Sequence, residues 1–121
     1  MEKKKIRSAG KIPVSLIGVG GYGAKLANAI GKTQLFKIIY CYHPDRGKTY
    51  EAAKEFDCKP ALSEKEAVCN NDVEAVIIAS PDYSHLRYIL LAIENNCHIF
   101  VEKPMVSTWE EALIVKKKLA S

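Results

Sequence analysis

Gly18-Val19-Gly20-Gly21-Tyr22-Gly23 decides how this chain reads. Ahead of it, Val14-Ser15-Leu16-Ile17 is a short β-forming run opened by Pro13, a place in a strand where no ladder hydrogen bond is lost. Behind it, Tyr22, Leu26, Ala29 and Ile30 recur at the i, i+4, i+7, i+8 spacing of one buried helix face. A strand that turns through glycines into a helix aims the helix's unpaired first-turn N–H groups, and the positive end of its dipole, at whatever lies over the turn. The glycines have separate tasks: Gly18 allows the tight turn, Gly20 lets a pyrophosphate approach the backbone, and Gly23 lets the helix pack closely on the strand. With Gly21 and Tyr22 between them, they form a candidate dinucleotide cradle. Glycine also collects in turns for backbone reasons alone, and here the flanking strand, helix and second strand favour the nucleotide.

Outward from this turn the chain alternates. The first helix is expected to stop near Gly31. Lys37 to Tyr42 is a β-branched and aromatic run read as the second strand, and His43-Pro44-Asp45-Arg46-Gly47 is the loop after it. A helix over Lys48 to Phe56 leads to a brief third strand near Lys59 to Leu62. Ser63 and Glu66 have capping-box spacing and open a small helix ending near Asn70-Asn71. Ala75 to Ala79 is apolar throughout, as a central parallel strand covered on both faces should be. Leu86, Ile89, Leu90 and Ile93 mark a further helix face, and His98 to Glu102 a fifth strand. Ser107 and Glu110 then suggest a second capping box for a last helix with Trp109, Ala112, Val115 and Leu119 turned inward. This alternation predicts an α/β fold, a doubly wound parallel sheet in three layers with strand order 3-2-1-4-5. Ligands of such sheets bind at the carboxyl ends where the order reverses, between strands one and four. Gly18 to Gly23 and Ser80 to His85 would converge there.

At 121 residues the chain is sized for one domain. Its 18 basic and 14 acidic residues leave a net charge of +4, much of it in Lys3 to Lys5 and Lys116 to Lys118. Neither run is interleaved with aromatics, so solvated termini are favoured over nucleic-acid binding. Residues 1 to 12 form a basic lead-in, unassigned apart from the strand start near Ile12. No apolar stretch approaches the roughly 18 residues of a membrane span, and Met1-Glu2-Lys3 opens no signal-peptide pattern, so a soluble cytoplasmic protein is expected. Cys41, Cys58, Cys69 and Cys97 contain no C-x-x-C pair. Free, mostly buried thiols are expected, with neither a disulfide framework nor a metal site.

Two further constellations stand at carboxyl ends of strands. In Ser80-Pro81-Asp82-Tyr83-Ser84-His85 the proline would fix a wall for a ribose or nicotinamide, and the polar residues offer hydrogen bonds. Equally, Asp82 or Ser84 could cap the next helix and His85 could be a satisfied first-turn histidine. In Glu102-Lys103-Pro104, a lysine partly desolvated near a cationic ring would be tuned for proton transfer, although an isolated tripeptide of this kind is more often a surface loop.

Taken in order, Gly18-x-Gly20-x-x-Gly23, Ala79-Ser80-Pro81 with His85, and Glu102-Lys103-Pro104 resemble the amino-terminal half of the glucose-fructose oxidoreductase, inositol dehydrogenase and rhizopine-catabolism (Gfo/Idh/MocA) family over residues 12 to 119. The resemblance implies a Rossmann domain binding NAD or NADP, followed in the family by a larger α+β domain that supplies most substrate contacts and the subunit interface. It implies that Lys103 orients a sugar or cyclitol hydroxyl and assists its deprotonation during hydride transfer. Glu102 would meet the nicotinamide end through its backbone, Ser80, Pro81 and His85 would line its ribose, and Pro104 would set the direction of Lys103. Two features depart from the family pattern. The second strand ends Cys41-Tyr42-His43, without the carboxylate that usually accepts from the ribose about twenty residues beyond the turn. Tyr42 could contact the ribose or adenine, and His43, Arg46 and Lys48 could balance a 2'-phosphate, which keeps NADP as plausible as NAD. The second departure is that the sequence reaches Ser121 ahead of the sixth strand and substrate domain that the resemblance implies.

The expectation is therefore an NAD(P)-binding Rossmann domain over residues 1–121, from an oxidoreductase acting on a sugar-like or polyol substrate, binding cofactor without turnover alone. An unpaired sheet edge would also favour self-association. The rival is a non-catalytic module for a dinucleotide, another adenine nucleotide or coenzyme A. A methyltransferase-like domain for S-adenosylmethionine is disfavoured, since it gives Glu102-Lys103-Pro104 no task.

Overall fold

The computed structural model of the chain describes residues 10–121, so the Lys3 to Lys5 run lies outside the described residues. Five strands and five helices alternate: β1 (Ile12–Ile17), α1 (Gly21–Thr33), β2 (Phe36–Tyr42), α2 (Arg46–Phe56), β3 (Lys59–Pro60), α3 (Glu64–Val68), β4 (Ala75–Ile78), α4 (His85–Glu94), β5 (His98–Val101) and α5 (Trp109–Ala120), with a 3-10 turn at Asp82–Ser84 ahead of α4. The sheet order is β3-β2-β1-β4-β5 and every pairing is parallel. The expected doubly wound architecture is the one observed.

Alternation along the central strands builds two cores. Val14 and Leu16 of β1 and Ile77 of β4 face Ala27 of α1 and Ala52 and Ala53 of α2. Ile17 of β1 and Val76 and Ile78 of β4 face Ala67 and Val68 of α3, Tyr88, Ile89 and Ala92 of α4, and Val115 of α5. Period-two side chains on strands covered from both sides produce this split. Ser15, the polar member of β1, is fully buried, and its hydroxyl donates to the Ala67 carbonyl at 2.5 Å.

Several local expectations shift. Gly31 does not stop α1, since a glycine weakens a helix by about 1 kcal/mol without ending it; the left-handed residue is Gln34, at φ 62°. The buried face of α1 runs through Gly23 and Ala27, flanked by Leu26 and Ile30, whereas Tyr22 and Ala29 are exposed. Close packing of Gly23 on the β1 exit sets that rotation. Helix α2 begins two residues ahead of Lys48, because the Asp45 carboxylate accepts from Lys48 N at 3.3 Å and takes the cap. Ser63 does cap α3, accepting from Glu66 N at 3.1 Å, but the helix ends at Val68. In Ser107-Thr108-Trp109-Glu110-Glu111 two cap registers overlap, and the second is used. Thr108 accepts from Glu111 N at 3.1 Å, while Glu111 accepts from Ser107 N at 2.8 Å. In this register Val115 of α5 is buried, while Trp109 is 74% exposed and Leu119 55%. Neither Asp82 nor Ser84 caps α4: Asp82 accepts from Tyr83 N, and Ser84 Oγ donates to Pro81 O.

Candidate cofactor site

Glycine geometry builds the floor of the site. Gly18 has φ +95°, and a Cβ there would stand 2.5 Å from the Ala79 and Ser80 backbone, so β1 and β4 approach this closely only with glycine. A Cβ on Gly23 would run into the Gly18 carbonyl, which brings α1 down onto the turn. The turn is tied sideways by Gly18 N donating to Tyr42 O at 3.0 Å and Ala79 N donating to Ile17 O at 2.7 Å. Gly20 and Gly21 behave differently: nothing lies within 4 Å of a Cβ at either. No side chain caps α1 at Gly20, and its first turn carries no acidic residue. The helix therefore opens onto free space with a positive dipole end and, among the described residues that line it, no side-chain anion, which fits a pyrophosphate.

That space belongs to a cavity of about 560 Å³ lined by Gly18, Gly20, Gly21 and Tyr22 on one side, Ser80, Pro81, Tyr83 and Ser84 on another, and His43, Pro44, Arg87 and Tyr88 on a third. A hollow of equal volume lies at the opposite sheet edge, beside Pro13, Lys37, Lys59 and Asp57. It stands at the amino ends of the strands, where Asp57 ends α2, and among the described residues none of its lining belongs to a first helical turn.

Behind the β4 exit, His85 is 1% exposed. Its Nε2 lies 2.8 Å from Ser80 O, and its Nδ1 lies 2.8 Å from Pro104 O and 3.1 Å from Met105 O. The ring thus bridges the β4 exit and the Glu102-Lys103-Pro104 turn. It stands behind the wall, held by main-chain oxygens, and is not among the residues that line the cavity. Glu102 N donates to Ile78 O at 2.9 Å, continuing the β4–β5 pairing to the turn. The Lys103–Pro104 bond is cis. Lys103 is exposed and does not line the cavity, so these described residues do not supply the partial burial expected for it.

The β2–α2 loop is locked by a residue that no motif singles out. Thr49, 1% exposed, donates to His43 O and accepts from His43 N, both at 2.9 Å. Asp45 N donates to His43 Nδ1 at 2.8 Å. Tyr42, His43 and Arg46 share a smaller cavity of about 120 Å³ with Thr49 and Leu62. Tyr42 meets Tyr88 edge-on, with ring centroids 6.5 Å apart, and burial first, then the neighbouring Tyr88 and Glu64, pushes its phenol above the ordinary range. Of the residues singled out, Gly18, Gly20, Gly21, Tyr22, His43, Ser80 and Pro81 meet in the main cavity, Gly23 lies beneath it, and Tyr42 and Arg46 border its neighbour. Tyr83 and Ser84 belong to the Ser80 to His85 stretch expected at this crevice, whereas Pro44, Arg87 and Tyr88 were not anticipated; the helix period could have placed Arg87 near the mouth, one turn beyond Ser84.

The cysteines carry no disulfide: Cys41 and Cys97 are buried, Cys58 is half-buried and Cys69 is exposed. A thiol–thiol hydrogen bond lowers Cys41 and, with burial, raises Cys58 beyond the ordinary thiol range. Among the described residues no helix is long and apolar enough to cross a membrane.

An all-parallel sheet with a glycine-lined helix N-terminus at its switch point defines a dinucleotide-binding Rossmann domain. Residues 12–121 match the family described as "Oxidoreductase family, NAD-binding Rossmann fold", and the chain belongs to that Gfo/Idh/MocA family. It is 32% identical over 106 residues to 2,7-anhydro-N-acetylneuraminate hydratase of Escherichia coli K12, covering 88% of this chain and 28% of that protein. It is 26% identical over 111 residues to scyllo-inositol 2-dehydrogenase (NADP(+)) of Bacillus subtilis, covering 88% of this chain and 30% of that one. A solved structure of a putative NADPH-dependent oxidoreductase from Desulfitobacterium hafniense superposes with a TM-score of 0.87 at 26% identity, over 93% of this chain and 32% of that chain. The chain thus spans about 30% of the length of these relatives.

Proposed function

We propose that this chain is the cofactor half of an NAD- or NADP-dependent oxidoreductase, holding the pyrophosphate against the first turn of α1 and offering Lys103 to the reacting end. The observation that carries this is the open, uncapped N-terminus of α1 at Gly20 and Gly21, facing into the cavity that Ser80 and Pro81 also line. Gly18 and Gly23 hold the turn in place, and Ser80 and Pro81 take the nicotinamide ribose. Glu102 meets the nicotinamide end through its backbone. His43, Tyr42 and Arg46 border the adenosine ribose; the loop's one carboxylate, Asp45, is engaged as the α2 cap. When bound, the nicotinamide supplies the hydride acceptor or donor. Lys103 holds the substrate hydroxyl oxygen and assists removal of its proton, and His85 keeps the Lys103-Pro104 turn fixed against the β4 exit.

The names of the relatives point to sugar-like and cyclitol substrates, and we assign this chain a substrate of that polyhydroxylated class. We place its substrate contacts in a further domain that follows the Rossmann domain, so that cofactor binding occurs here without turnover. Free thiols, one of them exposed, suit a reducing cytoplasm, where we place the protein. A non-catalytic nucleotide-binding module is the second reading, favoured by the position of Lys103 outside the cavity lining.

Isotope-labelled chain titrated with NADH separates the two. The catalytic reading expects shifts in the Gly20 and Gly21 amides together with nuclear Overhauser contacts from nicotinamide C4 protons to the Lys103 side chain. Amide shifts without any Lys103 contact support the binding module. No shift at the glycine turn overturns both.

A further inference from the structure

Arg87 lies on α4 and faces the same cavity as the glycine turn, beside His43, Pro44 and Tyr83. Its lateral position is fixed by its neighbours. The guanidinium reaches Glu64 at the start of α3 at 2.7 Å, and Tyr88, next in sequence, meets Tyr42 at the end of β2. Both contacts lie on the β2/β3 side of β1, whereas Lys103 follows β5 on the other side. A dinucleotide with its pyrophosphate at α1 puts one mononucleotide on each side of β1. If the nicotinamide half lies toward Lys103, Arg87 borders the adenosine half.

The guanidinium is held as a surface rather than left as a free charge. Its Nη2 donates to Glu64 Oε1 and to Tyr88 Oη at 3.1 Å, and its Cζ stands 5.1 Å from the Tyr88 ring centroid. Its side chain remains 61% exposed. A phosphate brought to this group would also meet the Glu64 carboxylate, while a neutral, planar base would stack without that repulsion.

Resting on the cofactor reading above, we propose that Arg87 is the adenine platform of this site: its guanidinium, clamped by Glu64 and Tyr88, stacks on the purine and strengthens NAD and NADP alike. Tyr88 supports it from beneath, and Glu64 acts as a positioning residue that neutralises its charge.

The test is calorimetry of the full chain and its variants with NAD, NADP, ADP-ribose and nicotinamide mononucleotide, with circular dichroism to establish equal folding. Arg87→Ala is expected to weaken NAD, NADP and ADP-ribose by a common factor of about ten, the scale of one base stack, and to leave nicotinamide mononucleotide unchanged. Arg87→Lys keeps the charge without the plane and is not expected to rescue. Glu64→Gln frees the guanidinium for phosphate and is expected to raise NADP relative to NAD by roughly threefold. Loss confined to NADP in Arg87→Ala, unchanged ADP-ribose affinity, or rescue by lysine would overturn the proposal, as would an unmoved NADP-to-NAD ratio in Glu64→Gln. A parent chain that binds neither NAD nor ADP-ribose would overturn the cofactor reading itself, before any substitution is compared.

Discussion

Gly20→Val separates binding from folding at the centre of the account. Gly20 has φ −73° and ψ −170°, extended backbone that valine adopts readily, and its Cβ would have nothing within 4 Å. Valine is a poorer helix cap than glycine by a few tenths of a kcal/mol to about 1, while losing glycine's freedom in the unfolded chain returns roughly 0.4–1 kcal/mol, so stability should change by less than about 1 kcal/mol. The isopropyl group, however, fills the space in front of the α1 N-terminus. Hydrogen bonds to a charged group contribute about 1.5–3 kcal/mol each, so displacing a phosphate from two first-turn N–H groups costs about 3 kcal/mol or more, at least a hundredfold in affinity. Gly23→Ala is the converse control: its methyl meets the Gly18 carbonyl, and the forced shift of α1 should cost about 1–3 kcal/mol of stability. Urea unfolding by circular dichroism, with calorimetric titration of NAD(H) and NADP(H), reads both quantities. A folded Gly20→Val chain binding within threefold of the parent would refute the reasoning.

Three further outcomes are expected. His85→Leu removes the bridge between Ser80, Pro104 and Met105 from a side chain that is 1% exposed, and should destabilise by about 1–3 kcal/mol in urea unfolding; a change below about 0.5 kcal/mol would show that the bridge holds nothing. In the native chain one thiol, Cys69, should react quickly with an aromatic disulfide reagent at neutral pH. Cys58, raised by its hydrogen bond with Cys41, and the buried Cys41 and Cys97 should wait for unfolding, so fast labelling of a Cys69→Ser variant would contradict the described packing. The β5 edge and the exposed Phe100, Trp109, Leu113 and Ile114 should drive concentration-dependent association in sedimentation; a monomer at high concentration would argue against it.

Much of this fold was written in local pattern. Ala75 to Ala79 reads as a doubly covered strand because each face of β4 meets helices, and the glycine turn is legible because Gly18 and Gly23 have no steric alternative. What the pattern hid was rotational and long-range. The true face of α1 follows from one backbone contact at Gly23, and the cap of α5 from a choice between two overlapping registers. His85 was noticed as a residue near the cofactor, but its task depends on oxygens 19 and 20 residues away in sequence. Thr49 and Arg87 act through a loop fold and a helix–helix contact that no short motif encodes.

The most direct measurement is calorimetric titration of this chain with NAD, NADH, NADP and NADPH at one fixed salt concentration. Saturable one-to-one binding of at least one of them is expected, weakened at least a hundredfold by Gly20→Val. A folded parent chain showing no heat with any of the four would contradict the claim that the α1 N-terminus is a complete dinucleotide cradle.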